Sequence, residues 1–275
     1  MADFVLVHGA WHGGWCWRRV VQRLAASGHR VHAATLTGLG ERAHLLSSTI
    51  TLETHIADVM GLIEAEELQD VVLAVHSYAG MLGTAVADRM TSRVRRLVDV
   101  DAVVPRPGES WSSTHASTTR AARIAAAEAS ADYSFPPPDP KVFGLDGPDY
   151  EWVRRRQTAH PGHTYTAALD FDPARVGSIP RTFVNCTAPA LATIDAIRPR
   201  VVDPGFWGGH WLPGAVRAQD RRARVLAQRL GVVVQARAVR RADLDERHPG
   251  LGDDLGDAER AADLDQLPAR DDHRP

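Results

Sequence analysis

Apolar residues in the amino-terminal hundred positions come in short unbroken runs, separated by stretches with helical spacing. Phe4-Val5-Leu6-Val7 is one such run and stops at His8-Gly9; Trp17 to Ala26 then keeps apolar residues on one helical face and ends before Gly28. Val31 to Leu36 reads as a second strand, closed by the turn Thr37-Gly38-Leu39-Gly40. Between Thr54 and Leu68 the residues Ile56, Val59, Met60 and Ile63 recur on one face of a helix, and Val71-Val72-Leu73-Ala74-Val75 follows as a continuous apolar run. Gly80 to Met90 reads as the next helix and Leu97 to Val100 as the next strand. Strands apolar on both faces, alternating with helices, predict a doubly wound, mostly parallel α/β sheet.

The rhythm breaks between Pro105 and about Ser178. A Ser/Thr-rich stretch, Ser110 to Thr119, leads into an alanine-rich helix from Arg120 to Ala131 and then into Phe135-Pro136-Pro137-Pro138-Asp139-Pro140. An interruption of this length reads as a lid over the carboxyl edge of the sheet. Thr182 to Cys186 resumes the strand pattern. Val201 to Trp207 stands where a last strand would come, with Pro204 and Gly205 inside it, and Ala215 to Leu230 has helical spacing. The expected organisation is one α/β domain over residues 1–242, with the lid at about 105–178, and a polar, disordered tail over 243–275.

Composition sharpens the carboxyl-terminal boundary. The last aromatic residue is Trp211, and 24 of the 65 residues from there on are charged, against 42 of the first 210. Arg-, Ala- and Asp-rich sequence without aromatics is what a shifted reading frame gives in GC-rich DNA. Over all 275 residues the hydrophobic share is 44% and the formal net charge −2, which fits a globular protein and argues against a nucleic-acid surface. No apolar run reaches the roughly 20 residues that span a bilayer, and no signal segment opens the chain, so a cytoplasmic, membrane-free protein is expected. Cys16 and Cys186 are too few for a disulfide framework or a cysteine-built zinc site.

Val75-His76-Ser77-Tyr78-Ala79-Gly80, at a strand-to-helix junction, carries the sharpest chemistry. A serine on such a turn is held clear of the sheet at a helix amino terminus; the usual pattern is G-x-S-x-G, with Val75 and Ala79 here in the glycine places. His8-Gly9-Ala10-Trp11, after the first strand, can aim the Ala10 N–H at the same point as the Tyr78 N–H, giving the two donors of an oxyanion hole. Phe4 to Trp17 together with His76-Ser77-Tyr78 resembles the α/β-hydrolase superfamily. More narrowly, the likeness is to the branch of plant methyl-ester esterases, hydroxynitrile lyases and bacterial esterase relatives, and it runs from Ala2 to about Pro204.

That resemblance implies ester hydrolysis by a Ser–His–acid triad through an acyl-enzyme, with no metal and no cofactor, on a small-molecule ester. Ser77 is the expected nucleophile. His210, in a Gly-x-His loop, is the expected base, ahead of His115, His160, His163, His248 and His273. Asp101, at the end of a strand, is the expected acid, an arrangement similar to one subclass of haloalkane dehalogenases; Asp99 is read as pointing to the other face and Asp195 as the fallback. Trp11 and His160 are the candidate substrate contacts, though core packing is the commoner fate of Trp11, Trp15 and Trp17. The lyases of the branch carry threonine at the place of Gly9 and lysine after the histidine, where Trp211 stands, so an esterase is favoured. Lactone opening, C–C cleavage, a cyanohydrin-lyase step, or a binding-only relative that has lost its histidine are the alternatives. Oligomeric state is not legible.

Overall fold

Two-sided burial organises the sheet. In β1 (Asp3–Val7) and β3 (Val71–His76), Val5, Val7, Leu73 and Val75 pack into one hydrophobic layer, while Leu6 and Ala74 pack into another with Trp17 and Val20. Successive side chains of a strand point to opposite faces, so an unbroken apolar run is what a strand covered on both sides requires. β2 (Arg30–Ala34), β4 (Val94–Val100) and β9 (Arg181–Asn185) complete the main sheet with the two-residue β10 (Val216–Arg217), in the order β10-β9-β4-β3-β1-β2 and all parallel. The computed structural model describes residues 1–186 and 192–202, and of residues 216 and 217 the backbone.

The helices fall where the periodicity puts them. α1 (Arg18–Ala26) buries Val20 against the layer that contains Leu6 and Val184. α2 (Leu52–Ala65) starts at a reciprocal cap: the Thr51 hydroxyl accepts from the Thr54 N–H, and the Thr54 hydroxyl accepts from the Thr51 N–H. It buries Ile56, Val59 and Ile63. α3 (Gly80–Arg89) is buried along most of its length, which suits a helix enclosed between the sheet and the later elements.

Between β4 and β9 the chain leaves the main sheet. Here α4 (Ser117–Glu128), α5 (Gly147–Arg154), α6 (His163–Thr166) and α7 (Pro173–Gly177) are tied by two short antiparallel ribbons, β5 (Glu109–Ser110) with β8 (Ala168–Leu169) and β6 (Ser134–Phe135) with β7 (His160–Pro161). α7 is pinned to α3, since the Asp88 carboxylate accepts from the Asp172 N–H at 3.2 Å and from Arg175 at 2.7 Å.

Toward the carboxyl end the expectations meet two differences. The start of the anticipated last strand, Val201, lies in α8 (Arg198–Val202). Val216–Arg217, placed in a helix by its spacing, is strand and pairs with Val184 and Asn185. The rest of the expected helix and the whole tail at 243–275 lie outside the described residues. No helix among the described residues is long and apolar enough to cross a membrane.

Candidate active site

Register brings the candidate residues into a row. β1 and β3 pair Val7 with Val75, and β3 and β4 pair His76 with Val100. The next residues along each strand, His8-Gly9-Ala10, Ser77 and Asp101, therefore leave the carboxyl edge side by side, with Ser77 central. Open parallel sheets expose their ligand crevice on this edge.

The turn at Ser77 is tight and strained. Its φ is +53°, in the left-handed region that costs a non-glycine residue about 1–2 kcal/mol. Two contacts fix it. Val103 N–H donates to the Ser77 carbonyl at 2.9 Å, and Gly80 lets α3 approach so closely that a Cβ built on it would lie 1.9 Å from the Val103 oxygen. The permissive residue is thus Gly80, three places after the serine, while Ala79 fits fully buried in the usual glycine place. At Gly83, a turn further along α3, the contact is looser: a Cβ there would lie 2.9 Å from the Val75 side chain and 3.0 Å from that of Leu97.

The first loop lies directly on the serine: a Cβ on Gly9 would stand 3.0 Å from the Ser77 Cβ and 2.8 Å from His76 Nδ1. Two imidazoles shape that loop. His8 is fully buried, donates from Nδ1 to the Gly9 carbonyl at 2.7 Å and accepts the Leu36 N–H on Nε2 at 3.1 Å. His12 donates to the Ala10 carbonyl at 2.6 Å. Tyr78 is buried, its hydroxyl donating to His55 Nδ1 at 3.1 Å while His55 Nε2 donates to the Thr37 carbonyl at 2.9 Å.

Burial strips these imidazoles of their charge. Desolvation lowers His8 to about 3, His76 to about 3 and His55 to about 4, and it also lowers His12. His115, whose Nδ1 lies 2.8 Å from the Tyr165 hydroxyl, is lowered to about 4 by burial and by Arg123 nearby. None of them is set up to gain a proton near neutrality. Asp101 moves the other way. Burial raises it to about 6, against the opposing pull of Arg198 at 3.6 Å and of the Cys186 N–H at 3.4 Å. Asp101 also holds a left-handed φ of +43°.

Asp99 is occupied elsewhere: fully buried, it takes a two-pronged ion pair from Arg181 at 2.5 and 3.0 Å. Asp195 is exposed and bonded to Arg198. Trp11 and His160 are both buried and stand with ring centroids 6.1 Å apart. Trp17 is buried and Trp15 half-buried, the latter edge-on to Trp152 at 4.9 Å. His163 stacks on Tyr133 at 4.1 Å. His210, His248 and His273 lie outside the described residues. Among the described residues no three His, Cys, Asp or Glu side chains could hold a metal ion.

One cluster had no signal in the sequence. The Arg123 guanidinium lies 5.1 to 5.8 Å from the ring centres of Trp11, Trp111, Phe135 and Tyr165. These residues come from the first loop and four separate segments of the insertion, so no local pattern joins them.

Known proteins place the chain. A stretch of 110 residues, 40% of this chain, is 60% identical to the carbendazim hydrolyzing esterase of Nocardioides sp. (strain SG-4G), of which it covers 46%, a little under half. Methylesterase 7 of Arabidopsis thaliana is 28% identical over 223 residues, 73% of this chain and 83% of that protein. Among solved structures, an extracellular alpha/beta-hydrolase from a Paenibacillus species matches with a TM-score of 0.65 at 19% identity, covering 86% of this chain and 100% of that one; at that identity the likeness is one of fold. The model of the alpha/beta hydrolase family matches residues 4–252. With that match, on a parallel sheet whose central strand ends in a strained serine turn, the chain belongs to the alpha/beta hydrolase family.

Proposed function

We propose that the chain hydrolyses small carboxylic esters, with Ser77 as nucleophile. The observation that carries this reading is the row at the sheet edge: Ser77 on a left-handed turn, Gly9-Ala10 against it on one side and Asp101 on the other. The relatives named as esterases support it.

In this reading the Ser77 hydroxyl adds to the ester carbonyl and passes its proton to a histidine. The negative oxygen of the tetrahedral intermediate is met by the Ala10 and Tyr78 N–H groups, each worth roughly 3–4 kcal/mol in comparable enzymes. Collapse expels the alcohol, which takes the proton, and leaves an acyl group on Ser77; water then repeats the sequence and frees the acid. Asp101 orients the imidazole and must be ionised to do so, which a carboxyl raised to about 6 is at neutral pH. His210 is the base assigned by the resemblance. The lid reading of residues 105–178 fits a covered, apolar pocket for an apolar or aromatic acyl or alcohol group.

The crowding at Gly9 weighs against the lyase alternative, because a threonine there would drive its Cβ into His76 and Ser77. The decisive experiment is labelling with a fluorophosphonate probe, followed by peptide mapping. The adduct is expected on Ser77 alone. A folded protein that stays unlabelled would overturn the hydrolase reading and favour a binding-only relative.

A further inference from the structure

Trp11, the residue after the proposed oxyanion donor Ala10, holds a left-handed φ of +63°, which a bulky side chain avoids unless its surroundings impose it. Both of its backbone polar groups are taken by the insertion. Thr158 N–H donates to the Trp11 carbonyl at 3.0 Å, and Trp11 N–H donates to His160 Nδ1 at 3.4 Å. Thr158 is itself tied back, its hydroxyl accepting the Gly40 N–H at 3.3 Å.

The tautomer of His160 follows from its neighbours. The Thr164 hydroxyl donates to the Pro161 carbonyl at 2.7 Å, so its oxygen is left to accept from His160 Nε2–H at 2.9 Å. Nδ1 is then a bare acceptor facing Trp11. Complete burial keeps the ring neutral, well below the ordinary histidine range, so that acceptor persists. The Trp11 ring is held in turn by Phe135 at 5.8 Å, Trp111 at 6.1 Å and the Arg123 guanidinium at 5.1 Å.

We infer that His160 is a positioning residue of the oxyanion loop: with Thr158 it clamps Trp11 in the left-handed conformation and so aims the Ala10 N–H. Its role is not substrate contact, since both ring nitrogens are spent inside the protein. The inference rests on the hydrolase reading of Ser77 and Ala10. It also brings the insertion into the catalytic device: lifting the segment at 158–160 from the first loop and losing an oxyanion donor are one event.

Three substitutions separate the clamp from simple packing. In His160→Asn the amide oxygen reaches the Nδ1 position and can still accept from Trp11. In His160→Gln the amide reaches Thr164 instead, and His160→Leu does neither. Asn should keep kcat within about threefold, while Gln and Leu lower it about 10–100-fold, as a misaimed oxyanion donor does, with KM within about twofold. Thr158→Pro, which deletes the other clamp bond and the tie to Gly40 without touching the buried ring, should give the same split.

Hydrogen exchange across residues 9–17 provides a readout independent of turnover, faster in Gln and Leu and parent-like in Asn. Gln active with Asn impaired, or parent-like exchange at 9–17 in Leu, would overturn the clamp. A parent protein without ester turnover would instead sink the hydrolase reading, and the exchange pattern would still decide the clamp.

Discussion

Replacing Ser77 with alanine should lower ester turnover by at least about 10⁴-fold, to the level left by binding and the oxyanion donors alone. Alanine removes the hydroxyl that takes up the acyl group in this reading, so the acyl-enzyme cannot form. Ser77→Gly should be equally inactive but more stable than the parent. At φ +53° serine bears a strain that glycine does not, and relief of about 1 kcal/mol corresponds to a melting temperature roughly 2–4 °C higher. A gain in stability together with total loss of activity would identify the strain as functional. If Ser77→Ala retained turnover on a chromogenic short-chain ester, the assignment of the nucleophile would fail.

The second large effect is on folding. A Cβ on Gly80 would lie 1.9 Å from the Val103 oxygen and 2.8 and 2.9 Å from its carbonyl carbon and nitrogen. All three are backbone atoms, so no side-chain rotation relieves the clash. Either α3 or the 101–104 loop must move, and Gly80→Ala should cost about 3 kcal/mol or more, roughly 6–12 °C in melting temperature. Movement of that loop also strains the bond from Val103 N–H to Ser77, so residual activity should fall even at temperatures where the variant is folded. Ala79→Gly, one residue away, is the control and should be nearly neutral by comparison. An unchanged melting temperature for Gly80→Ala would show that the helix can retreat freely.

The sequence discloses this fold unevenly, for physical reasons. β1 and β3 are legible because both of their faces are buried, which leaves an unbroken apolar signature. β4 is legible only from Leu97 onward; it begins at Val94, but exposed Arg95 and half-buried Arg96, which bonds the Thr182 hydroxyl, break the run. The turn at Ser77 is legible because strand, serine and helix sit within a few consecutive residues.

The clamp on Trp11 is not legible, because it joins residues near 11, 111, 123, 135 and 160 that only the folded chain brings together. Toward the carboxyl end local signals mislead. Val216 and Arg217 have helical spacing, yet the open edge of β9 recruits them as a strand.

The buried imidazoles carry a thermodynamic consequence. A histidine held neutral by burial must bind a proton on unfolding once the pH is below about 6.5, so its contribution to stability is complete above that pH and is lost as the pH falls. His8, His55, His76 and His115 keep folded values of about 3–4. Each therefore removes about 1.4 kcal/mol per pH unit between roughly pH 6 and 4. Asp101, raised to about 6, runs the opposite way and offsets about one of the four. His12 and His160, also lowered by burial, act in the same direction as the four, so the sum runs toward weaker stability as the pH falls. The packing that sets the first loop against the serine thus also makes the protein a proton sink on unfolding, and its melting temperature is expected to fall as the medium is acidified from neutrality.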